Sequence, residues 1–294
     1  MIAVGIATCG RPDALRTCLA ALAAQRLAPA EVIVVDQAPS DEARAEVADS
    51  GLAGARYLEQ ERLGLSASRN LALELATADL LAVTDDDCAP DPGWLEAVAD
   101  AFERPPRPDA VTGPILPLGE RPPGGFAVSL RTAAKSVDHR GRMAPWGVGS
   151  GANFVAPVEL LRRQGGWDTR LGAGSRGRAA EDADLAYRLL VAGAVIRYEP
   201  RAIVRHAWQT RDRRLETRWS YGYGVGAMCG LALARRDPFA FRMLAGYGRP
   251  HVRPLGRALV RRDGFAAAER ARALASVVPG LAYGLRAAAK RPRA

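Results

Sequence analysis

The chain has 294 residues, 48% of them apolar, enough to bury the core of one large α/β domain or of a domain with an appendage. Net charge is +9, yet residues 197–294 hold 21 Lys and Arg against 6 Asp and Glu, while residues 1–196 are net acidic; the basic end is expected to meet something anionic, nucleic acid or lipid, unless it is only a solubilising surface. Cys9, Cys18, Cys88 and Cys229 show no paired spacing, no apolar run approaches the roughly 20 residues of a spanning helix, and the first residues lack the charged start of a signal peptide, so free thiols and a cytoplasmic location are expected.

In chain order, MIAVGIAT reads as a short buried strand. Arg11-Pro12-Asp13 opens a helix through ALRTCLAALAAQ, with Asp13 as its N-cap. EVIVVDQAPSD is a second strand, apolar until Asp36, and SDEARAEVADSG predicts a short helix. ARYLEQ is a third strand and SASRNLALELATA a helix. DLLAVTDDD is a fourth strand; PGWLEAVADAFE is a helix with Pro92 near its first turn, where proline is tolerated. AVTGPILPL reads as one proline-interrupted strand, and residues 126–148 carry no clear pattern. GSGANFVAP precedes the helix VELLRRQGG, and a glycine-rich loop leads to the helix AEDADLAYRLLVAGA. VIRYEPRAIVRHAW predicts one or two last strands. From about residue 211 the chain is basic and helical in propensity.

Apolar strands without alternation, separated by helices, predict an α/β fold with a doubly wound, mostly parallel sheet. Ligands bind such sheets beyond the carboxyl ends of the strands. Thr8, Asp36 and the run Asp85-Asp86-Asp87 all sit at those ends. Adjacent carboxylates repel, and aspartate disfavours strand interiors. The run is therefore either a solvated acidic turn or a cation site, and its convergence with the other polar strand ends favours the cation.

The ordered segments IATCGRPDALRTCLAAL, EVIVVDQAPSD, GLSASRNLAL, VTDDDCAPDPGWL, GANFVAPVELLRRQGGWD and EDADLAYRLL resemble the family 2 glycosyltransferases of the GT-A fold, over about residues 2–210. The resemblance implies a catalytic domain over 1–210, its donor half ending near 110 and its acceptor half running from 111, followed by a basic helical extension over 211–294. It implies transfer of one sugar from a nucleotide-diphosphate donor to an acceptor hydroxyl, with inversion and with a divalent metal, Mg²⁺ or Mn²⁺. Such a cation is held by oxygen ligands and neutralises the leaving diphosphate. On this reading Asp87 ligates the metal, Asp85 faces the ribose and the metal's outer shell, and His206 is a third ligand. Asp86 is structural. Thr8, Arg11, Asp36 and Arg69 contact the nucleotide sugar, and Asn70 holds its helix against the acidic loop. Asp182 is the general base, while Glu181 and Trp167 meet the acceptor. Without the resemblance, Glu181 and Asp182 read equally as acids favoured in a first helical turn. Gly149, Gly151, Gly165 and Gly166 are expected at tight turns.

Two departures bear on this picture. Arg62 stands where the family often has asparagine, and LETRW keeps only Arg218 and Trp219 of the processive synthases' Gln-x-x-Arg-Trp, which implies a non-processive enzyme. Residues 273–285, ALASVVPGLAYGL, are bracketed by Arg270, Arg272, Arg286, Lys290, Arg291 and Arg293. They read either as an interfacial segment docking on an anionic membrane, which suits a lipid-linked acceptor, or as a helix packed on the catalytic domain. Nucleic acid is not expected as a partner. A nucleotidyltransferase would show a glycine- and lysine-rich loop after the first strand, and a methyltransferase using S-adenosylmethionine a glycine-rich turn there; neither is present. A non-catalytic binder of the same fold would have no need of Asp182.

Overall fold

The computed structural model describes residues 1–289. Its first half alternates strand and helix as the sequence predicts: β1 (Ile2–Thr8), α1 (Pro12–Ala23), β2 (Glu31–Asp36), α2 (Asp41–Ala48), β3 (Ala55–Glu59), α3 (Leu65–Leu75), β4 (Leu80–Asp85), β5 (Cys88–Pro90) and α4 (Trp94–Glu103). There follow β6 (Ala110–Thr112), β7 (Ile115–Pro117), β8 (Val137–His139), β9 (Phe154–Pro157), α5 (Val158–Arg163), α6 (Glu181–Val191), β10 (Ile196–Tyr198) and β11 (Val204–His206). Four helices end the described chain: α7 (Arg211–Ala234), α8 (Phe239–Val260), α9 (Gly264–Ala275) and α10 (Val277–Ala289).

The main sheet runs β3-β2-β1-β4-β9-β6-β10-β8. Strands β1 to β4 are mutually parallel, and β9 enters antiparallel between β4 and β6. The inner strands are apolar on both faces because helices cover both, and two core clusters flank the sheet. A second sheet, β5-β11-β7, leans across the carboxyl ends. Buried Asn153 ties the layers: its amide donates to Pro114 O at 3.1 Å and Ala202 O at 2.8 Å, and its carbonyl accepts from Trp94 Nε1 at 2.9 Å.

Several local expectations change. Pro12 occupies the first helical position of α1, where its missing N–H costs nothing, so Asp13 lies inside the first turn and is not the cap. AVTGPILPL is two strands in different sheets, because the chain turns at Gly113-Pro114, where a Cβ on Gly113 would lie 2.1 Å from Ala202 O. The patternless stretch 126–148 contains only the edge strand β8 and one 3₁₀ turn, Pro145–Gly147.

The apolar segment 273–285 is packed, which supports the second of its two readings. Gly222, Gly226 and Gly230 recur every fourth residue along α7; Gly222 faces Ala273 of α9 and Ser276, while Gly226 and Gly230 lie against the α10 backbone at Val277, Leu281 and Gly284. A Cβ on Gly280 would lie 2.0 Å from Tyr223 O, and one on Gly284 2.1 Å from Ala227 O. Only the lack of side chains lets these backbones approach so closely. Lys290, Arg291 and Arg293 lie outside the described residues. No described helix is long and apolar enough to cross a membrane.

Gly280→Ala should force α10 away from α7 and lower stability by about 1–3 kcal/mol, the usual effect of overpacking. Chemical denaturation of the variant checks this; an unchanged midpoint would mean that α10 is not docked on α7.

Candidate active site

The site lies where β1 and β4, paired in register from Ile2↔Leu80 to Ala7↔Asp85, end side by side. That pairing brings the Thr8–Arg11 loop against Asp85-Asp86-Asp87. Asp86 is fully buried: Thr8 Oγ1 donates to its Oδ2 at 2.7 Å, and Arg11 Nη2 stands 2.5 Å from its Oδ1. Burial pushes its carboxyl up to about 7 against the pull of Arg11 and Thr8. Asp86 therefore anchors the loop, and its neighbours face the cleft.

Strand β11 supplies the next group. His206 pairs with Cys88 of β5, and Ala207 N donates to Asp87 O at 2.9 Å. This register sets His206 Nε2 3.5 Å from Asp87 Oδ1. Its Nδ1 lies 3.0 Å from Ala207 O, an acceptor only, so Nδ1 carries a proton and Nε2 is the nitrogen turned toward Asp87. Ligand atoms of Asp85, Asp87, Cys88 and His206 lie within 4.8 Å of one another. Cys88 is fully buried, and its thiol is raised well above its ordinary range by that burial. Two carboxylates and an imidazole remain, a donor set suited to Mn²⁺ or Mg²⁺.

Arg69 of α3 joins this corner to the other half. It is only 3% exposed. Nη2 donates to Asp85 Oδ1 at 2.9 Å and to Gly151 O at 3.1 Å; Nη1 donates to Glu181 Oε1 at 2.9 Å. Gly151 N in turn donates to Asp182 Oδ2 at 2.8 Å, while Ala183 N holds Oδ1 at 2.7 Å. Glycine is needed at 151 because a Cβ there would meet both Arg69 Nη1 at 2.8 Å and Asp182 Cβ at 2.9 Å. Asp182 is thus pinned at the first turn of α6, where the helix dipole favours its charge. Burial, and then the charge of Asp182, push Glu181 upward, and Arg69 opposes them.

Thr8, Arg11, Arg69, Asp85, Asp87, Glu181, Asp182 and His206 all line one cleft of about 1750 Å³. Two expected contacts do not. Asp36 is fully buried; its oxygens accept from Ala38 N at 2.9 Å and Tyr57 Oη at 2.8 Å, so it braces the turn after β2 and does not line the cleft. Trp167 is 2% exposed in the core under α3, which removes it as a sugar platform. Asn70 clamps the Trp167 backbone from both sides at 2.8 Å, so it holds the Gly165–Trp167 turn, not the acidic loop. Arg62 lines the cleft without a carboxylate partner among the described residues.

The division expected at residue 210 does not separate the site from the extension. Arg214, Arg218 and Tyr221 of α7 and Tyr247 of α8 line the same cleft, as do Arg131 and Trp146 from the patternless stretch. Tyr221 feels the charges of Asp182, Asp85 and Glu181. Sequence reasoning missed these residues. The one available signal was the partial motif around Arg218.

The comparisons agree with this geometry. The model described as "Glycosyl transferase family 2" matches residues 3–125, and that of "Glycosyl transferase family group 2" residues 80–284. A "Pre-mycofactocin glycosyltransferase" of Mycobacterium tuberculosis is 33% identical over 192 residues, 62% of this chain and 38% of that protein. A "Glucosyl-dolichyl phosphate glucuronosyltransferase" of Haloferax volcanii is 30% identical over 156 residues, 51% of this chain and 50% of that protein. The chain thus spans half or less of these curated relatives. Among solved structures, a mannosyltransferase from Pyrobaculum calidifontis in complex with GDP-Man and Mn²⁺ superposes with TM-score 0.60 at 22% identity, covering 100% of this chain and 76% of that one. S. aureus TarS (1–349) gives TM-score 0.60 at 14% identity, covering 99% and 93%. These structural likenesses establish the GT-A fold.

Removing Arg69 would leave Asp85 and Glu181 without their shared cation. Arg69→Gln should lose about 3–5 kcal/mol at neutral pH, as for breaking other buried pairs. An acid whose folded pKa is raised destabilises the native state above its unfolded pKa, and protonation relieves this as pH falls. The gap between variant and parent should therefore narrow toward pH 5, measured by denaturant titration at several pH values; a gap that is small or independent of pH would contradict this role.

Proposed function

The chain belongs to the family 2 glycosyltransferases, and from that premise we propose that it moves one glycosyl group from a nucleoside-diphosphate sugar to an acceptor hydroxyl, with inversion at the anomeric carbon. The observation that carries the reading is Arg69 bonded at once to Asp85 on the donor side and to Glu181, next to Asp182, on the other. One guanidinium fixes the spacing between a cation corner and a pinned carboxylate, which is what a single direct displacement requires.

Asp85, Asp87 and His206 would hold Mn²⁺ or Mg²⁺. When bound, the ion neutralises charge on the departing diphosphate. Arg11, half-exposed beside Asp87, is placed to donate to phosphate oxygens, for which its forked donors are suited. Thr8 supports it through Asp86. Asp182 accepts the proton of the acceptor hydroxyl as that oxygen attacks; the two backbone N–H groups that bond it keep it aimed. Glu181 keeps Arg69 in place, and the acceptor enters along α7. One base and one displacement give the inverted anomer.

Asp182→Asn should keep nucleoside-diphosphate affinity and lose transfer by about 10²–10⁴-fold. A donor screen with and without Mn²⁺, read by calorimetry and then by turnover, checks this; near-normal turnover in the variant would remove Asp182 as base. Asp87→Asn should bind nucleoside diphosphate equally with Mn²⁺ and with EDTA, whereas the parent should bind far more weakly in EDTA. A parent indifferent to EDTA would contradict the metal reading.

We also propose that the chain sits on an anionic membrane surface through α8, not through the packed residues 273–285. Residues 235–262 hold eight arginines and one acid, and all eight arginines are exposed. Along α8, Phe241, Val252 and Leu259 are 63%, 59% and 62% exposed and fall on one stripe at helical spacing. Arg242, Arg249, Arg253 and Arg257 form the stripe beside it. Apolar side chains next to basic ones suit an anionic lipid interface. The parent should sediment with anionic vesicles, not with neutral ones, and detach near 0.5 M salt. Arg249→Glu with Arg253→Glu should abolish sedimentation while leaving nucleotide binding unchanged; vesicle binding by that variant would count against α8.

A further inference from the structure

The far wall of the cleft, beyond Asp182, carries cationic groups that the donor chemistry does not use. Arg131 leads them. Its Nη2 donates to Trp146 O at 2.9 Å, but its Nε is buried without a partner. Among the described residues it has no carboxylate partner. Burial lowers its pKa, and Asp182 and then Tyr198 offset part of that. It lines the cleft together with Asp182. Desolvating a guanidinium without pairing it is unfavourable, which implies an anion that arrives with a ligand.

A second unpartnered donor lines the same cleft. Trp146, whose carbonyl accepts from Arg131, meets Tyr247 edge-on with ring centroids 5.8 Å apart. The Tyr247 hydroxyl is buried and also lacks a partner. Both residues line the cleft. On the α7 side, Arg214 and Arg218 share a single carboxylate oxygen, Glu269 Oε1, each at 2.7 Å. One negative charge thus serves two guanidiniums, and the Nη groups of Arg218 make no hydrogen bond among the described residues. Two unpartnered donors and a surplus of positive charge line the same cleft, contributed by the loop at 131, the turn at 146, α7 and α8.

We propose that Arg131, Arg218 and Tyr247 form an anion subsite beside Asp182 that takes a phosphate group carried by the acceptor. This deepens the donor–acceptor reading and rests on it. Arginine provides the forked donors that phosphate oxygens take, and the tyrosine hydroxyl adds one more. A phosphate fixed there holds the acceptor by a group that does not react and leaves a hydroxyl to reach Asp182. The recognised chemistry is the phosphate ester, whether borne by a small molecule or by a lipid.

The test uses the full chain with nucleoside diphosphate and Mn²⁺ at saturation, so that phosphate cannot occupy the donor half. Phenyl phosphate should then titrate to one further site, and phenol should not bind. Arg131→Gln should weaken that binding at least tenfold and Tyr247→Phe at least threefold, with the nucleoside-diphosphate affinity of both within twofold of the parent. Glycerol 3-phosphate and dihexanoyl phosphatidate compare the two sources: similar affinities support a soluble phosphate ester, and tighter phosphatidate binding supports a lipid. Were Tyr247 an orphan of packing only, Tyr247→Phe would raise stability and leave phosphate binding untouched. Binding of phenyl phosphate that is absent in the parent, or unchanged in both variants, overturns the proposal. Failure of the donor reading would show separately, as no binding of nucleoside diphosphate in the parent.

Discussion

Four carboxylates, Asp85, Asp87, Glu181 and Asp182, face one cleft with buried Asp86 behind them, and they stay together because two arginines are fixed among them. Arg69 is the decisive one. It is nearly buried, it bonds Asp85 and Glu181 through separate nitrogens, and it also takes the carbonyl of Gly151, whose N–H holds Asp182. A single planar group thereby sets β4, the turn before β9 and α6 in mutual register. Arg11 does the equivalent work for Asp86 and Asp87 at the exposed side. Because guanidinium is never deprotonated in this setting, the arrangement holds over the whole range in which the carboxylates are ionised.

That constraint explains why the rest of the chain is built as it is. The parallel strands bring the Thr8 and Asp85 ends together, and the small second sheet lays His206 across them. The cleft then needs a far wall, and the C-terminal helices supply it. Glycines spaced by four let α10 lie directly on α7, which positions α7 to present Arg214, Arg218 and Tyr221 inward. The extension is therefore structural support and cleft wall at once, while the outer face of α8 keeps its arginines in solvent.

The Rossmann-like half was legible because its signals are local. Apolar runs of strand length, helices between them and acids at the strand ends each fall within a dozen residues, and the Asp85–Asp87 run marks the strand end that borders the cleft. What the sequence hid was carried by long-range contacts. Asp36 looks like a ligand at a strand end, but it is buried and accepts from Tyr57, on the next strand, away from the cleft lining. Trp167 sits in a glycine-rich segment that reads as a loop, yet Asn70 pulls its backbone inward and the ring follows into the core. Arg131 lies in a stretch with no periodicity, and nothing within it reveals that its guanidinium will bond the Trp146 carbonyl or that Tyr247 will line the same cleft. The glycine pattern in α7 and α10 is present in the sequence, but its meaning depends on two distant helices, α7 ending at Ala234 and α10 starting at Val277, meeting face to face.

The account stands on a cation held by Asp85, Asp87 and His206 next to the nucleotide. Pulsed electron paramagnetic resonance of Mn²⁺ bound with nucleoside diphosphate reads those ligands directly. The predicted spectrum shows one ion per chain, with phosphorus couplings from the diphosphate and one histidine nitrogen coupling that disappears in His206→Ala. Bound Mn²⁺ showing phosphorus couplings but no histidine nitrogen, or a nitrogen coupling that survives in His206→Ala, would contradict the site as built here.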